Sequence, residues 1–188
     1  PAWSVPAGQV NGGSATTAGD VNGDGYADVL VGAAGFSSGE ASEGRVTLYL
    51  GSSTGLSLNP DWSVESNQVG AQLGSCIAGL GDINGDGYGD VVVGANQFEN
   101  GQVDEGRVMV YLGSPCGLAL LPTWTAESNQ AGANMGIRAA GADVNGDGLA
   151  DVLVGAYLYG GGTNRGRAYA FYGRAVDDCN ANGVSDVV

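Results

Sequence analysis

A chain of 188 residues with 43% apolar content is long enough to bury a core of its own. Its bias lies in 36 glycines, no histidine and a net charge of −14, from 20 acidic and six basic residues. That balance argues against binding a phosphate backbone, hence against nucleic acid, and no apolar run approaches the ~18 residues of a membrane span.

The chain opens at Pro1 with no leader-like segment, as expected of a mature or excised piece. Residues 1–6 read as a short outer strand around Trp3. The stretch DVNGDGYAD at 20–28 follows, then a glycine-flanked strand at 44–51 and a second outer strand around Trp62. These make a first unit over about 14–64. The second unit, about 75–126, is the most complete. Its small-residue apolar strand at 75–81 leads into DINGDGYGD at 82–90. Residues 88–95 read as a buried, β-branched second strand, and 106–113 alternate as a third. A turn at 114–117 leads to a more polar fourth strand at 120–127 around Trp124. The third unit, about 136–173, repeats DVNGDGLAD at 143–151 and a third strand at 166–173, without a fourth of its own. Residues 175–188 are a tail.

Four short strands per unit of about 60 residues, with no apolar face at helical spacing, predict an all-β chain of propeller blades. Trp3, Trp62 and Trp124 mark fourth strands 59 and 62 residues apart, so an outer strand precedes the first unit. Propellers have about four to eight blades and this chain has three. The expectation is a homodimer closing a six-bladed ring, the N-terminal strand of one chain completing blade three of the other. The alternative is a piece of a longer propeller.

The repeated nine-residue loop predicts a hard-cation site in each unit. The first aspartates are 62 and 61 residues apart, and nine of the fourteen aspartates lie in the three loops. Positions 1, 3, 5 and 9 offer side-chain oxygens and position 7 its carbonyl. Calcium takes six to eight oxygens at about 2.3–2.6 Å, and glycine at position 6 allows the sharp turn. The candidate ligands are Asp20, Asn22, Asp24, Tyr26 and Asp28; Asp82, Asn84, Asp86, Tyr88 and Asp90; and Asp143, Asn145, Asp147, Leu149 and Asp151. The start resembles an EF-hand loop, but Val31, Val93 and Val154 stand where that loop needs glutamate. Magnesium keeps more water than this ligand set allows, and zinc wants nitrogen or sulfur. A single Asp/Asn/Gly cluster is often a solvated turn; three in-register copies argue otherwise. Three divalent ions would bring the charge to about −8 and lock each hairpin, and sites of modest affinity would fill outside the cell.

These residues resemble the FG-GAP repeats of integrin α-subunit β-propellers and their bacterial relatives. The resemblance rests on Gly-Asp-Val/Ile-Asn-Gly-Asp-Gly, then Ala/Gly-Asp-Val-Leu/Val-Val-Gly-Ala, Gly-Arg-Val and a Tyr-Leu-Gly turn, over residues 1–173. The Phe-Gly-like element before the loop stands as Leu73-Gly74 and Met135-Gly136; unit one has Gly12-Gly13 nearby and a shorter lead-in. The resemblance implies three calcium sites between the first two strands of each blade, on the lower face. It implies ligand contacts on the upper face, at 36–43, 97–105 and 158–165 with 7–13, 66–73 and 128–135. Integrins have seven blades, so their ligand pocket does not carry over. The tail at 178–186 reads as a degraded fourth loop, either a weak calcium turn or a linker.

No catalytic constellation emerges, and without histidine the commonest general base is absent. Glu40, Glu43, Glu65, Glu99, Glu105 and Glu127 read as solvated loop or outer-strand residues. The three tryptophans are expected to pack between blades rather than on sugars. Arg45, Arg107 and Arg167, each after a glycine, are expected to share a structural contact. Cys76 reads as a small buried core residue, while Cys116 and Cys179 are free or paired between chains. The expected function is a non-enzymatic, calcium-binding module of an exported or surface protein, mediating adhesion or protein–protein contact. Alternatives are a propeller lectin with a glycan ligand, or a propeller attached to a catalytic domain elsewhere.

Overall fold

The structure is a computed structural model that describes residues 3–5, 11, 13–160 and 165–175. Eleven strands form three antiparallel sheets in chain order. Blade 1 is β1 (Gly13–Gly19), β2 (Asp28–Ala33), β3 (Arg45–Tyr49) and β4 (Trp62–Glu65). Blade 2 is β5 (Leu73–Gly81), β6 (Asp90–Ala95), β7 (Arg107–Tyr111) and β8 (Trp124–Glu127). Blade 3 has β9 (Met135–Ala142), β10 (Asp151–Ala156) and β11 (Arg167–Phe171), and no fourth strand among the described residues. Trp3 to Val5 carry no strand assignment, and the rest of the outer strand expected at 1–6 lies outside the described residues, as does the tail from 176.

The second strand of each blade explains the stacking. Each reads Asp-Val, an apolar residue, Val-Gly-Ala, and successive side chains of a strand point to opposite faces. In β6, Val91, Val93 and Ala95 join Leu30, Val46, Leu48 and Trp62 of blade 1 in one core. Val92, on the other face, joins Val108 and Val110 with Val152, Val154 and Ala156 of blade 3 in a second core. Sandwiched on both sides, β6 is buried throughout; each such valine stabilises by about 1.5–3 kcal/mol. β10, with one neighbour, is less completely covered, Leu153 and Gly155 being half-buried.

In blade 2 the first strand is longer than the expected 75–81, and the second, third and fourth are shorter than the expected 88–95, 106–113 and 120–127. The fourth strand of blade 2 begins at Trp124, and Leu120 and Leu121 are exposed in the turn before it. There the chain is spent reaching the sheet edge: the Thr123 amide donates to the Val110 carbonyl, which sets the register for β8.

The tryptophans do pack between blades. Trp62 of β4 meets Tyr111 of blade 2 edge-on at 4.9 Å and donates Nε1 to the Ala119 carbonyl. Trp124 meets Phe171 of blade 3 at 4.5 Å. The arginines share a contact too. Arg45, Arg107 and Arg167 stack over Phe36, Phe98 and Tyr159 at 3.7–3.8 Å, and Arg107 also pairs with Glu127.

Candidate functional site

The three acidic loops join the first two strands of each blade, β1 to β2, β5 to β6 and β9 to β10, and so lie at one end of the stack. Their internal bonding is repeated almost atom for atom. Asp20 accepts from the Gly23 amide at 2.7 Å and the Gly25 amide at 2.8 Å, one on each carboxylate oxygen. Asp82 holds Gly85 and Gly87, and Asp143 holds Gly146 and Gly148, in the same way. The Gly148 and Gly146 amides hold the Asp143 carboxyl below its usual range. Asn22 and Asp24, Asn84 and Asp86, and Asn145 and Asp147 pair through an amide donor, and the asparagine oxygen accepts the aspartate's own N–H. Position 6 is the turn: Gly25, Gly87 and Gly148 sit at φ of +88°, +88° and +89°, where a side chain is strained.

Position 9 does something its place in the motif does not reveal. Asp28, Asp90 and Asp151 are fully buried. One oxygen of each accepts from position 2 of its loop (Val21, Ile83, Val144) and the other from the glycine two residues past the third strand (Gly51, Gly113, Gly173). Each is a clamp between the loop and the Tyr-Leu-Gly-type turn. Burial, with the charges of Asp86 and Asp82 adding to it, pushes the Asp90 carboxyl up to about 6 against the pull of the two amides. Burial raises Asp28 likewise, Asp24 and Asp20 contributing.

The loops also bind the blades to one another. The Gly89 amide donates to the Asp20 carbonyl at 2.7 Å, and the Ala150 amide to the Asp82 carbonyl at 3.0 Å. The carbonyls of Val21 and Ile83 accept from Ser114 and Arg174. A loop that loses its shape therefore loosens its neighbour.

For a cation, the donor set fits by chemistry: every side chain at positions 1, 3, 5 and 9 offers oxygen, and the fold already curls the loop around position 1. Among the described residues, no three carboxylate, imidazole or thiol side chains converge as a metal-holding group. The oxygens are turned instead to the loop's own amides.

The opposite end carries the loops between second and third strands. Glu43 and Glu105 are fully buried there, not solvated as expected. One oxygen of each accepts a loop amide, of Ser38 and Asn100, at 2.6 Å, and the other has no hydrogen-bond partner among the described residues. These glutamates close a loop that folds back over them, which short-range sequence pattern does not show. Adjacent blades are cross-braced here: Gln68 donates to the Glu99 carbonyl and accepts from its amide, both at 2.8 Å, and Gly70 and Gly132 reach Ala41 and Val103. Val69, Val103 and Tyr157 are exposed on this braced surface. Cys76 is half-buried and Cys116 exposed, both as free thiols; Cys179 lies outside the described residues.

The model of the FG-GAP repeat matches residues 12–49, 77–111 and 135–171, one stretch in each blade. The chain belongs to the FG-GAP repeat family. Among its relatives, phosphatidylinositol-glycan-specific phospholipase D of Bos taurus is 37% identical over 171 residues, covering 85% of this chain and 20% of the relative. Integrin alpha-IIb of Mus musculus is 37% identical over 146 residues, covering 73% and 14%. Integrin alpha-4 of Xenopus laevis is 35% identical over 153 residues, covering 78% and 14%. The chain thus spans a fifth or less of these FG-GAP relatives. Among the described residues, no helix is long and apolar enough to cross a membrane.

Proposed function

We propose that this FG-GAP chain is a calcium-stabilised propeller module of an exported or cell-surface protein, acting by protein–protein contact or adhesion. The observation that carries the reading is the threefold repeat of one oxygen-lined loop, in register, at one end of the stack. Asp20, Asn22, Asp24 and Asp28, with the Tyr26 carbonyl, would hold the first ion. Asp82, Asn84, Asp86, Asp90 and Tyr88 would hold the second, and Asp143, Asn145, Asp147, Asp151 and Leu149 the third. A bound divalent ion supplies the positive charge that three neighbouring carboxylates otherwise lack. With a dissociation constant near ~0.1 mM and free calcium near ~1 mM, each site adds about 1–2 kcal/mol. Such sites fill outside the cell, which supports an extracellular setting, as does the integrin likeness.

The contact surface in this reading is the braced end with Val69, Val103 and Tyr157, where exposed apolar groups stand on loops that need little ordering on binding. A second reading, a propeller attached to a catalytic domain, has the support of the phospholipase D relative, matched over only a fifth of its length. Isothermal titration tests the first reading: three calcium ions should bind per chain, and the absence of calcium-specific heat would overturn it. A glycan array tests the lectin alternative, since equivalent sites in each blade should give multivalent sugar binding.

A further inference from the structure

Six asparagines precede a glycine, and the fold holds them unequally. Asn22, Asn84 and Asn145 are position 3 of the acidic loops, while Asn100 lies in the loop between β6 and β7. Asn182, and the Gly12 that follows Asn11, lie outside the described residues. The pairing matters because the amide nitrogen of the next residue is placed to attack an asparagine side chain, and glycine brings no side chain to hinder it.

In the acidic loops that nitrogen is engaged. The amides of Gly23, Gly85 and Gly146 donate to the carboxylates of Asp20, Asp82 and Asp143 at 2.7, 2.6 and 2.6 Å. A bond to a charged acceptor is strong, and the neighbouring negative charge opposes loss of the amide proton. The asparagine is held as well. Each donates Nδ2 to the aspartate two residues on and accepts that aspartate's N–H on Oδ1.

Asn100 lacks this restraint. Neither the Gly101 N–H nor Asn100 Oδ1 has a hydrogen bond among the described residues. Both residues are exposed, and a Cβ on Gly101 would meet nothing within 4 Å, so a ring has room to close. One bond holds the side chain, from Nδ2 to Glu127 Oε2 at 3.0 Å.

We propose that Asn100 is a modification site, where the side-chain amide is converted to a carboxylate with water as the co-reactant. Gly101 N gives its proton to solvent base and bonds to Asn100 Cγ. The Cγ–Nδ2 bond breaks, and Nδ2 takes a proton from water and leaves as ammonia. Water then opens the cyclic imide at either carbonyl, giving aspartate or isoaspartate. The new carboxylate faces Glu127 where a donor stood, and Glu127 is the partner of Arg107. The isoaspartate form also lengthens the main chain beside Glu99, whose amide and carbonyl brace Gln68. The modification therefore acts on the cross-braced end of the stack.

Peptide mapping by mass spectrometry tests this, on the folded 188-residue chain aged in mildly alkaline buffer with millimolar calcium and on the same chain aged in denaturant. In denaturant Asn22, Asn84, Asn100 and Asn145 should convert at similar rates. In the folded chain Asn100 should convert fastest, the other three being slower by about tenfold or more, the worth of one charge-assisted hydrogen bond. Asn100→Gln, whose longer side chain closes the ring poorly, should leave position 100 unmodified. Asn100→Asp, which places the carboxylate without ring closure, should melt below the wild type. Equal rates at the four sites in the folded chain, or an Asn100 that converts only in denaturant, would overturn the proposal. An Asn100→Asp chain that melts like the wild type would overturn the effect on Glu127.

Discussion

Trp3 stands to Tyr49 as Trp62 stands to Tyr111: ring centroids 4.9 Å apart in both pairs, planes crossed at 75° and 74°. The indole N–H reaches the following turn in each case, at Ser57 and Ala119. Among the described residues Trp3 belongs to no sheet, yet it meets blade 1 as an outer-strand residue meets the next blade. Trp3→Ala should remove an edge-on aromatic contact worth about 0.5–1.5 kcal/mol and one hydrogen bond. A chemical-denaturation curve should shift by about 1–3 kcal/mol, while Ser4→Ala, at an exposed neighbour, should shift it hardly at all.

Gly94 separates packing from backbone freedom. Gly94→Ala should cost several kcal/mol, since the new methyl would be forced into the Gly136 carbonyl and blades 2 and 3 would have to part. Thermal melting should show a large fall. A variant that melts like the wild type would contradict the close inter-blade approach.

The buried clamp aspartates should be costly to truncate with or without metal. Asp90→Ala leaves the Ile83 and Gly113 amides without acceptors, at about 1–3 kcal/mol each. Asp86→Asn changes an exposed carboxylate of one loop in three, so it should melt like the wild type in chelator and lose about a third of the gain in calcium. Melting both variants in each buffer separates the clamp role of Asp90, lost in either buffer, from ion holding, lost only in calcium.

Burial pushes the Cys76 thiol above its usual range, Ala139 and Arg138 pulling weakly the other way. At pH 8 Cys76 is therefore mostly protonated, and the thiolate appears only as pH rises further. A disulfide reagent at pH 8 should titrate exposed Cys116 quickly and Cys76 slowly. The Cys76 rate should climb with pH or on unfolding; equal fast rates at pH 8 would contradict its placement between blades.

Much of this was legible from residues because the repeat amplifies weak signals. The Asp-Val-x-Val-Gly-Ala strands, the acidic loops and the tryptophan spacing each recur, so one blade interprets the next. What escaped depends on where a chain folds back on itself. Burial of Glu43 and Glu105 follows from loop closure over Oε1, and the clamp role of Asp28, Asp90 and Asp151 from a glycine 22 or 23 residues further on. Cys76 sits in an apolar run and reads as core, yet it is only half-buried. Periodicity records which face a residue shares; it does not record which amide it will meet.

The central claim is that the acidic loops are held by a divalent cation and, through Gly89–Asp20 and Ala150–Asp82, hold the blades in turn. The most direct measurement is the melting temperature in millimolar calcium against excess chelator, for the wild type and for Asp24→Asn/Asp86→Asn/Asp147→Asn. Three sites of about 1–2 kcal/mol, at 2–4 °C per kcal/mol, predict a wild-type difference of about 10 °C and little for the triple variant. Coincident wild-type curves in calcium and chelator would contradict the account.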